Sequence, residues 1–291
     1  MTSLDEALLQ ILNDKQSGSI AILQQLIRGI SSYLIRESDP TVSLSIMNNR
    51  LALMRGGLGH FAVVGHFLNE LEKVVVNNLK GLQSQEALFD FVNQYDTRWK
   101  HANTEVSKVA ADYIDCNNKT ILLHSNSSVI TSFFNKIKST NVKTSIIQTE
   151  SRPENEGRYQ AVKLANLGFN VKYIVDTAAA FMMDEVDMMI TGADQIHKNY
   201  FVNKIGTYAL ALLCREKNIP IFVLADSRKI SNTEANPQAL HNIQRSGSDI
   251  WKSSPERVTP VNFYFEPVPT ILVKSFITEK EVHTSSFLAR V

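Results

Sequence analysis

The chain has 291 residues, 44% of them hydrophobic and 20% charged, with Lys plus Arg at 30 against Asp plus Glu at 29. That length holds one large domain or two ordinary ones, and the composition is that of a globular protein, not a disordered one. A net charge of +1 excludes a global electrostatic footprint for nucleic acid or anionic membrane and leaves room only for a local basic pocket.

The start, Met1-Thr-Ser-Leu-Asp-Glu, lacks a basic stretch followed by an apolar one, and no segment approaches the roughly 18 apolar residues a spanning helix needs. Cysteine occurs at Cys116 and Cys214 only, too few for a disulfide framework or a thiolate zinc site. These features predict a reduced, cytoplasmic protein with no membrane partner and no direct nucleic-acid partner.

Residues 1–115 read as an all-helical domain. Ser17-Gly18-Ser19 opens a helix that carries Ile20, Ile22, Leu23, Leu26, Ile27 and Ile30 on a helical period. Asp39-Pro40 breaks the chain. Ala62, Val63, His66, Phe67, Leu71 and Val74 repeat at the same spacing, as do Leu88, Phe89, Phe91 and Val92. From 116 to 291 the pattern changes. Short apolar runs, Thr120–His124, Ser145–Ile147, Val171–Val175, Val186–Ile190 and Ile221–Leu224, alternate with helical segments such as Arg158–Leu167, which stops at Gly168. Alternation of this kind predicts an α/β domain with a Rossmann-like, mostly parallel sheet. Ligands of such sheets bind beyond the carboxyl ends of the strands.

Four polar clusters stand at those ends. After the first strand, His124-Ser125-Asn126-Ser127-Ser128 reads as a helix cap whose N–H groups attract an anion, or as a plain cap without ligand. In Glu150-Ser151-Arg152-Pro153-Glu154, Ser151 and Glu154 have capping-box spacing, which sets Arg152 at the positive end of a helix dipole. Either a carboxylate or a bound phosphate compensates that cation. In Thr191-Gly192-Ala193-Asp194, Gly192 allows close backbone approach and Asp194 is the leading acid/base candidate of the chain, with a cap as its alternative. In Asn203-Lys204-Ile205-Gly206-Thr207, the stripe Ile205, Tyr208, Ala209, Leu212 and Leu213 predicts a helix with Asn203 near its N-cap, Lys204 against the dipole and Gly206 inside it. Convergence of these groups on one rim makes a site for a small phosphorylated molecule bearing hydroxyls.

Other features read as structural. His60 and His66 lie in apolar helical sequence and read as packing residues, Met182-Met183 and Met188-Met189 as core filler, and Cys214 as an inert thiol on the apolar side of its helix. Lys73 and Lys80 belong to a solvated face. There is no Gly-rich phosphate loop and no metal-ligand spacing, so neither a cofactor nor a metal is expected.

The segments LLHSNSSVI, ESRPENEGR, ITGADQI and VNKIGTYALALLCREKNIPIFVLAD, in that order, are similar to those of one family. It joins the alpha, beta and delta subunits of eukaryotic translation initiation factor 2B to ribose-1,5-bisphosphate isomerase and methylthioribose-1-phosphate isomerase. The tail VTPVNFYFEPVPTILVKSFITEKEV resembles the family's last segment, so the strong likeness runs from about 119 to 282. SGSIAIL and the segment around Arg55 match more loosely. The resemblance implies an acid/base Asp194, with phosphate and hydroxyl contacts at Arg152, Asn203 and Lys204, and Asn126, Ser127 and Ser128 lining the same pocket. The family isomerases carry a catalytic Cys where Ser125 stands, and a serine hydroxyl does not ionise near neutrality without a strong base beside it. His124 is a second candidate base, although adjacent strand residues face opposite ways. Ser17-Gly18-Ser19 stands where those isomerases have an Arg-Gly loop. The resemblance thus implies a regulatory or non-catalytic protein that binds a phosphorylated sugar or nucleotide. The alternative is an aldose–ketose isomerase of ribose 1,5-bisphosphate or methylthioribose 1-phosphate type, with Asp194 and Ser125 at its centre. It also implies a homodimer or higher oligomer formed through the second domain, with related family subunits as further partners.

Overall fold

The computed structural model describes residues 3–14, 19–37, 39–58, 61–80, 86–138, 143–231 and 244–284. The chain divides into two compact units, Met1–His101 and Ala102–Val291. Ser17, Gly18 and His60 lie outside the described residues.

The first unit is helical throughout its described length: α1 (Ser3–Asn13), α2 (Ser19–Arg36), α3 (Pro40–Leu58), α4 (Ala62–Leu79) and α5 (Glu86–Trp99). Residues three and four apart share a helix face, so Ile22, Leu23, Leu26, Ile27 and Ile30 of α2 meet Val63, Val64, Phe67 and Leu71 of α4 in one core. Asp39 caps α3 by accepting the Thr41 N–H at 2.9 Å. His66 is a packing histidine, as expected: its Nδ1 lies 2.8 Å from the Tyr95 hydroxyl and its ring meets Trp99 edge-on.

The second unit begins earlier than expected. Helix α6 (Ala102–Tyr113) belongs to it and not to the helical unit, because Val106, Ala110 and Ile114 share a core with Ile121, Phe133 and Phe134. The elements that follow are β1 (Lys119–Leu123), α7 (Ser128–Ile137), β2 (Thr144–Thr149), α8 (Gly157–Asn166), β3 (Asn170–Ile174), α9 (Ala179–Met182), β4 (Met188–Thr191), β5 (Gln195–Ile196), β6 (Tyr200–Lys204), α10 (Thr207–Glu216), β7 (Ile221–Leu224), β8 (Gln244–Arg245), β9 (Asn262–Phe263), β10 (Phe265–Pro269), β11 (Ser275–Ile277) and β12 (Val282–His283).

The main sheet has the order β12-β11-β7-β4-β1-β2-β3, parallel except for the β11–β12 pair. Its side chains alternate between two apolar layers, as a period of two requires. Leu122, Ile147, Met189 and Val223 pack with Leu210 and Cys214 of α10. Ile121, Leu123, Ile146, Ile190 and Phe222 face Val106, Phe133 and Leu164 on the other side. The result is a three-layer α/β arrangement. From β1 the chain winds outward through β2 and β3, then returns to add β4 and β7 on the other flank. The winding therefore reverses between β1 and β4, which opens a crevice at their carboxyl ends. A second, antiparallel sheet of order β10-β6-β5 arises from sequence that carries no alternation: all five residues of β6 are buried.

Candidate functional site

The loop after β1 enters the crevice. Ser125 has φ 72°, a left-handed conformation that non-glycine residues adopt rarely. Its N–H donates to Ser151 Oγ at 2.7 Å and its hydroxyl donates a short hydrogen bond to Glu156 Oε1. Ser127 occupies the N-cap of α7 without a side-chain cap bond, and its N–H donates to Gln160 Oε1 at 2.9 Å. The opening N–H groups of α7 have no partner within the helix. Asn126 accepts from Lys163 at 3.1 Å, and Ser128 accepts from Asn103 at 3.0 Å. His124 is a buried connector. Its Nε2 donates to the Ile205 carbonyl at 2.8 Å, and Nδ1 lies 2.6 Å from the Thr149 hydroxyl. Burial pushes its pKa down, which keeps the ring neutral with both nitrogens engaged. No free nitrogen is left for a ligand or a base role.

The capping box does not form. Residues 151–156 make turns, Ser151 and Asn155 have positive φ, and α8 starts only at Gly157, with Glu156 as its N-cap. Asp176 holds this loop by accepting the N–H groups of Ser151 at 2.7 Å and Arg152 at 2.8 Å. Arg152 thus does not sit on a helix dipole; its side chain is exposed and meets neither Asp194 nor Lys204 among the described residues. The group this loop delivers inward is Glu156. A Cβ on Gly157 would lie 1.9 Å from the Thr149 carbonyl, so only glycine lets the loop close against β2.

The Gly-Ala-Asp turn follows β4. A Cβ on Gly192 would come within 2.9 Å of Ser127 Oγ, so the close approach expected there is made to α7's cap. The Asp194 N–H donates to the Val202 carbonyl at 2.8 Å, while its carboxylate has no hydrogen-bond partner among the described residues. Burial pushes the Asp194 pKa up and Glu156 adds to this; Lys229 and Lys204 oppose it. Lys229 donates to the Ala193 carbonyl. It is carried by the turn Ser227–Lys229, in which the buried Arg228 grips Asp226 through Nε at 2.9 Å and Nη2 at 3.1 Å.

Asn203 and Lys204 close strand β6 and do not open a helix. Gly206, expected inside the helix, is its N-cap with φ 101°. Glu266 takes the N–H of Tyr208 at 2.8 Å, which fills that helix end with a carboxylate. The Asn203 amide is spent on structure, donating to the hydroxyls of Thr191 at 2.9 Å and Thr207 at 3.0 Å. Lys204 differs. It is 1% exposed, and its Nζ lies 3.6 Å from Glu156 Oε2 and 3.4 Å from the centre of the Tyr264 ring, yet makes no hydrogen bond. Burial pushes its pKa down, against the pull of Glu156 and Glu154. Tyr264 donates to Glu156 Oε2 at 2.5 Å, and the Arg245 guanidinium lies 4.2 Å above the Tyr264 ring.

The switch point therefore gathers Ser125, Glu156, Asp194, Lys204 and Tyr264. Glu156, Tyr264, Lys229 and Arg245 went unrecognised by sequence. Glu156 lies two residues beyond the apparent capping box, and no local pattern links it to Tyr264. A cavity of about 650 Å³ lies instead at the other end of the strands, beside Lys119, Thr144 and Asn170. Among the described residues no three of His, Cys, Asp and Glu gather as metal ligands, and no described helix is long and apolar enough to cross a membrane.

The description "Initiation factor 2 subunit family" belongs to the family profile that matches residues 3–285. The chain belongs to this family. Within it, the chain is 31% identical over 208 residues to a putative translation initiation factor eIF-2B subunit 2-like protein of Pyrococcus abyssi, covering 70% of each chain. It is 33% identical over 143 residues to ribose 1,5-bisphosphate isomerase of Archaeoglobus fulgidus, covering 49% of this chain and 44% of that one. The crystal structure of the Pyrococcus horikoshii translation initiation factor eIF-2B shares the fold with a TM-score of 0.82 over 96% of both chains, at 24% identity. Membership therefore spans translation-factor and sugar-phosphate isomerase relatives.

Proposed function

We propose that this initiation factor 2 subunit family member binds a phosphorylated sugar or nucleotide at the carboxyl ends of β1, β4 and β6, in a regulatory rather than catalytic role. The observation that carries this reading is Lys204. A buried ammonium without a hydrogen bond is costly, and Glu156 at 3.6 Å only partly compensates it. An entering phosphate oxygen supplies the missing acceptor. The first-turn N–H groups of α7 favour the same charge. The absence of a thiol at Ser125 argues for binding without turnover.

A second reading is favoured by Asp194. Burial pushes the Asp194 pKa up, the direction a proton donor needs. It fits an aldose–ketose isomerase of a phosphorylated pentose, in keeping with the isomerase relative.

The test is thermal unfolding of the full chain with ribose 1,5-bisphosphate, methylthioribose 1-phosphate and nucleoside monophosphates. A ligand at a hundred times its Kd stabilises the folded state by about 2.7 kcal/mol. Lys204→Met is expected to abolish that shift without unfolding the protein, because an apolar chain of similar length fills the same space. No shift with any of these compounds sinks the reading. Formation of ketose by wild type decides for the second reading.

A further inference from the structure

We propose that Glu156 is a catalytic carboxylate of this site, the proton acceptor that works opposite Asp194 on a bound furanose 1-phosphate. The inference rests on the second reading above, an isomerase of a phosphorylated pentose.

Glu156 stands where a base is needed. Its Oε1 takes the Ser125 hydroxyl, and its Oε2 takes the Tyr264 hydroxyl at 2.5 Å and lies 3.6 Å from Lys204. Two donors fix the carboxylate's orientation and leave part of its roughly four lone-pair sites open. The glycine-dependent closure at Gly157 brings it to the crevice, at the hydroxyl of the one residue whose position called for a thiol. Asp194 feels the charge of Glu156, which adds to burial in raising the Asp194 pKa. Two carboxylates in different surroundings, Glu156 beside the buried Lys204 at 3.6 Å and Asp194 without a hydrogen-bond donor among the described residues, can divide the roles of base and acid.

The transfer balances without any further reactant. Protonated Asp194 gives its proton to the ring oxygen as the bond from that oxygen to C1 breaks. Glu156 takes the proton from C2, and the C2–H electron pair closes a C1–C2 double bond. Glu156 then delivers its proton to C1, and the Asp194 carboxylate takes the proton of the C2 hydroxyl. The product is the open-chain 2-ketose 1-phosphate, and both carboxyls return to their starting states.

The experiment uses the full chain and ribose 1,5-bisphosphate in deuterium oxide. It reads thermal stabilisation for binding, and for chemistry the formation of ketose with deuterium at C1 or of recovered substrate with deuterium at C2. Wild type is expected to be stabilised and to exchange. Glu156→Gln is expected to remain stabilised by the sugar phosphate, while exchange falls by more than about 100-fold. Glu156→Asp keeps the charge but withdraws the carboxylate; it is expected to fall as well, and it decides the matter if Glu156→Gln does not fold. Stabilisation of wild type without exchange overturns the role of Glu156 and leaves the binding reading intact. Exchange at the wild-type rate in both variants overturns it too. Absence of any stabilisation overturns the binding reading and this inference together.

Discussion

At the scale of single residues, desolvating an ionisable side chain costs stability, and Asp194 shows how. Its carboxylate has no protein donor among the described residues, and burial raises its pKa. An acid whose folded-state pKa lies above the unfolded one binds more protons when folded. Its contribution is therefore complete at low pH and is lost as pH rises from the ordinary carboxylate value of about 4. At neutral pH the ionised or strained carboxyl destabilises the fold. Asp194→Asn removes that ionisation and keeps the shape. The expected outcome is a gain on the order of 1 kcal/mol at pH 7, about 2–4 °C in Tm for a unit of this size. The gain vanishes below about pH 4. Melting curves of both proteins across that range check it, and a pH-independent difference would place the effect in packing instead.

At the scale of elements, two glycines separate backbone strain from close contact. Gly168 ends α8 with φ 97° and has open space where a Cβ would stand, whereas Gly206 starts α10 with φ 101° and would put its Cβ 3.0 Å from His124 Cε1. Gly168→Ala therefore meets only the left-handed backbone penalty, about 1–2 kcal/mol. Gly206→Ala meets that penalty and must also displace a ring bonded to both Thr149 and Ile205. The expected loss is about 2–4 kcal/mol, the upper range of single-site effects; equal losses in urea titrations would show that the ring gives way freely. These two positions also show what was legible in the sequence. The helical first unit was read from its period, and the five parallel strands from short apolar runs of strand length, which β4 and β7 bury on both faces. Strand β6 was misread as a helix start because its polar end, Asn203-Lys204, adjoins the apolar stripe of α10. Residues 151–156 were misread because Ser151 and Glu154 have capping spacing, but Asp176, from another loop, already holds the N–H groups of Ser151 and Arg152. Within the site, Asp194 and Lys204 were found by their motifs. Glu156 and Tyr264 pair across 108 positions of sequence, a link that only the topology makes.

At the scale of the whole molecule, the second unit exposes large apolar side chains on neighbouring elements. Phe181 on α9 is 89% exposed, Ile271 in the turn Thr270–Leu272 is 82% exposed, and Tyr208 on α10 is 37% exposed. Helix α10 packs against both α9 and that turn, so the three side chains belong to neighbouring elements. Large exposed apolar groups on neighbouring elements are the kind of surface an interface uses, and we propose a second copy of this chain as the occupant. In a two-fold contact the same patch serves both copies, so each residue is buried twice and each substitution is felt twice. Burying a Phe or Ile side chain contributes about 1.5–3 kcal/mol, and Phe181→Asp with Ile271→Asp reverses that on both sides while leaving the crevice at β1 and β4 untouched. Sedimentation is expected to show a dimer for wild type and a monomer for the double variant, with the melting of the first unit unchanged. A wild type that sediments as a monomer at tens of micromolar, or a double variant that still dimerises, would assign this surface to a different partner.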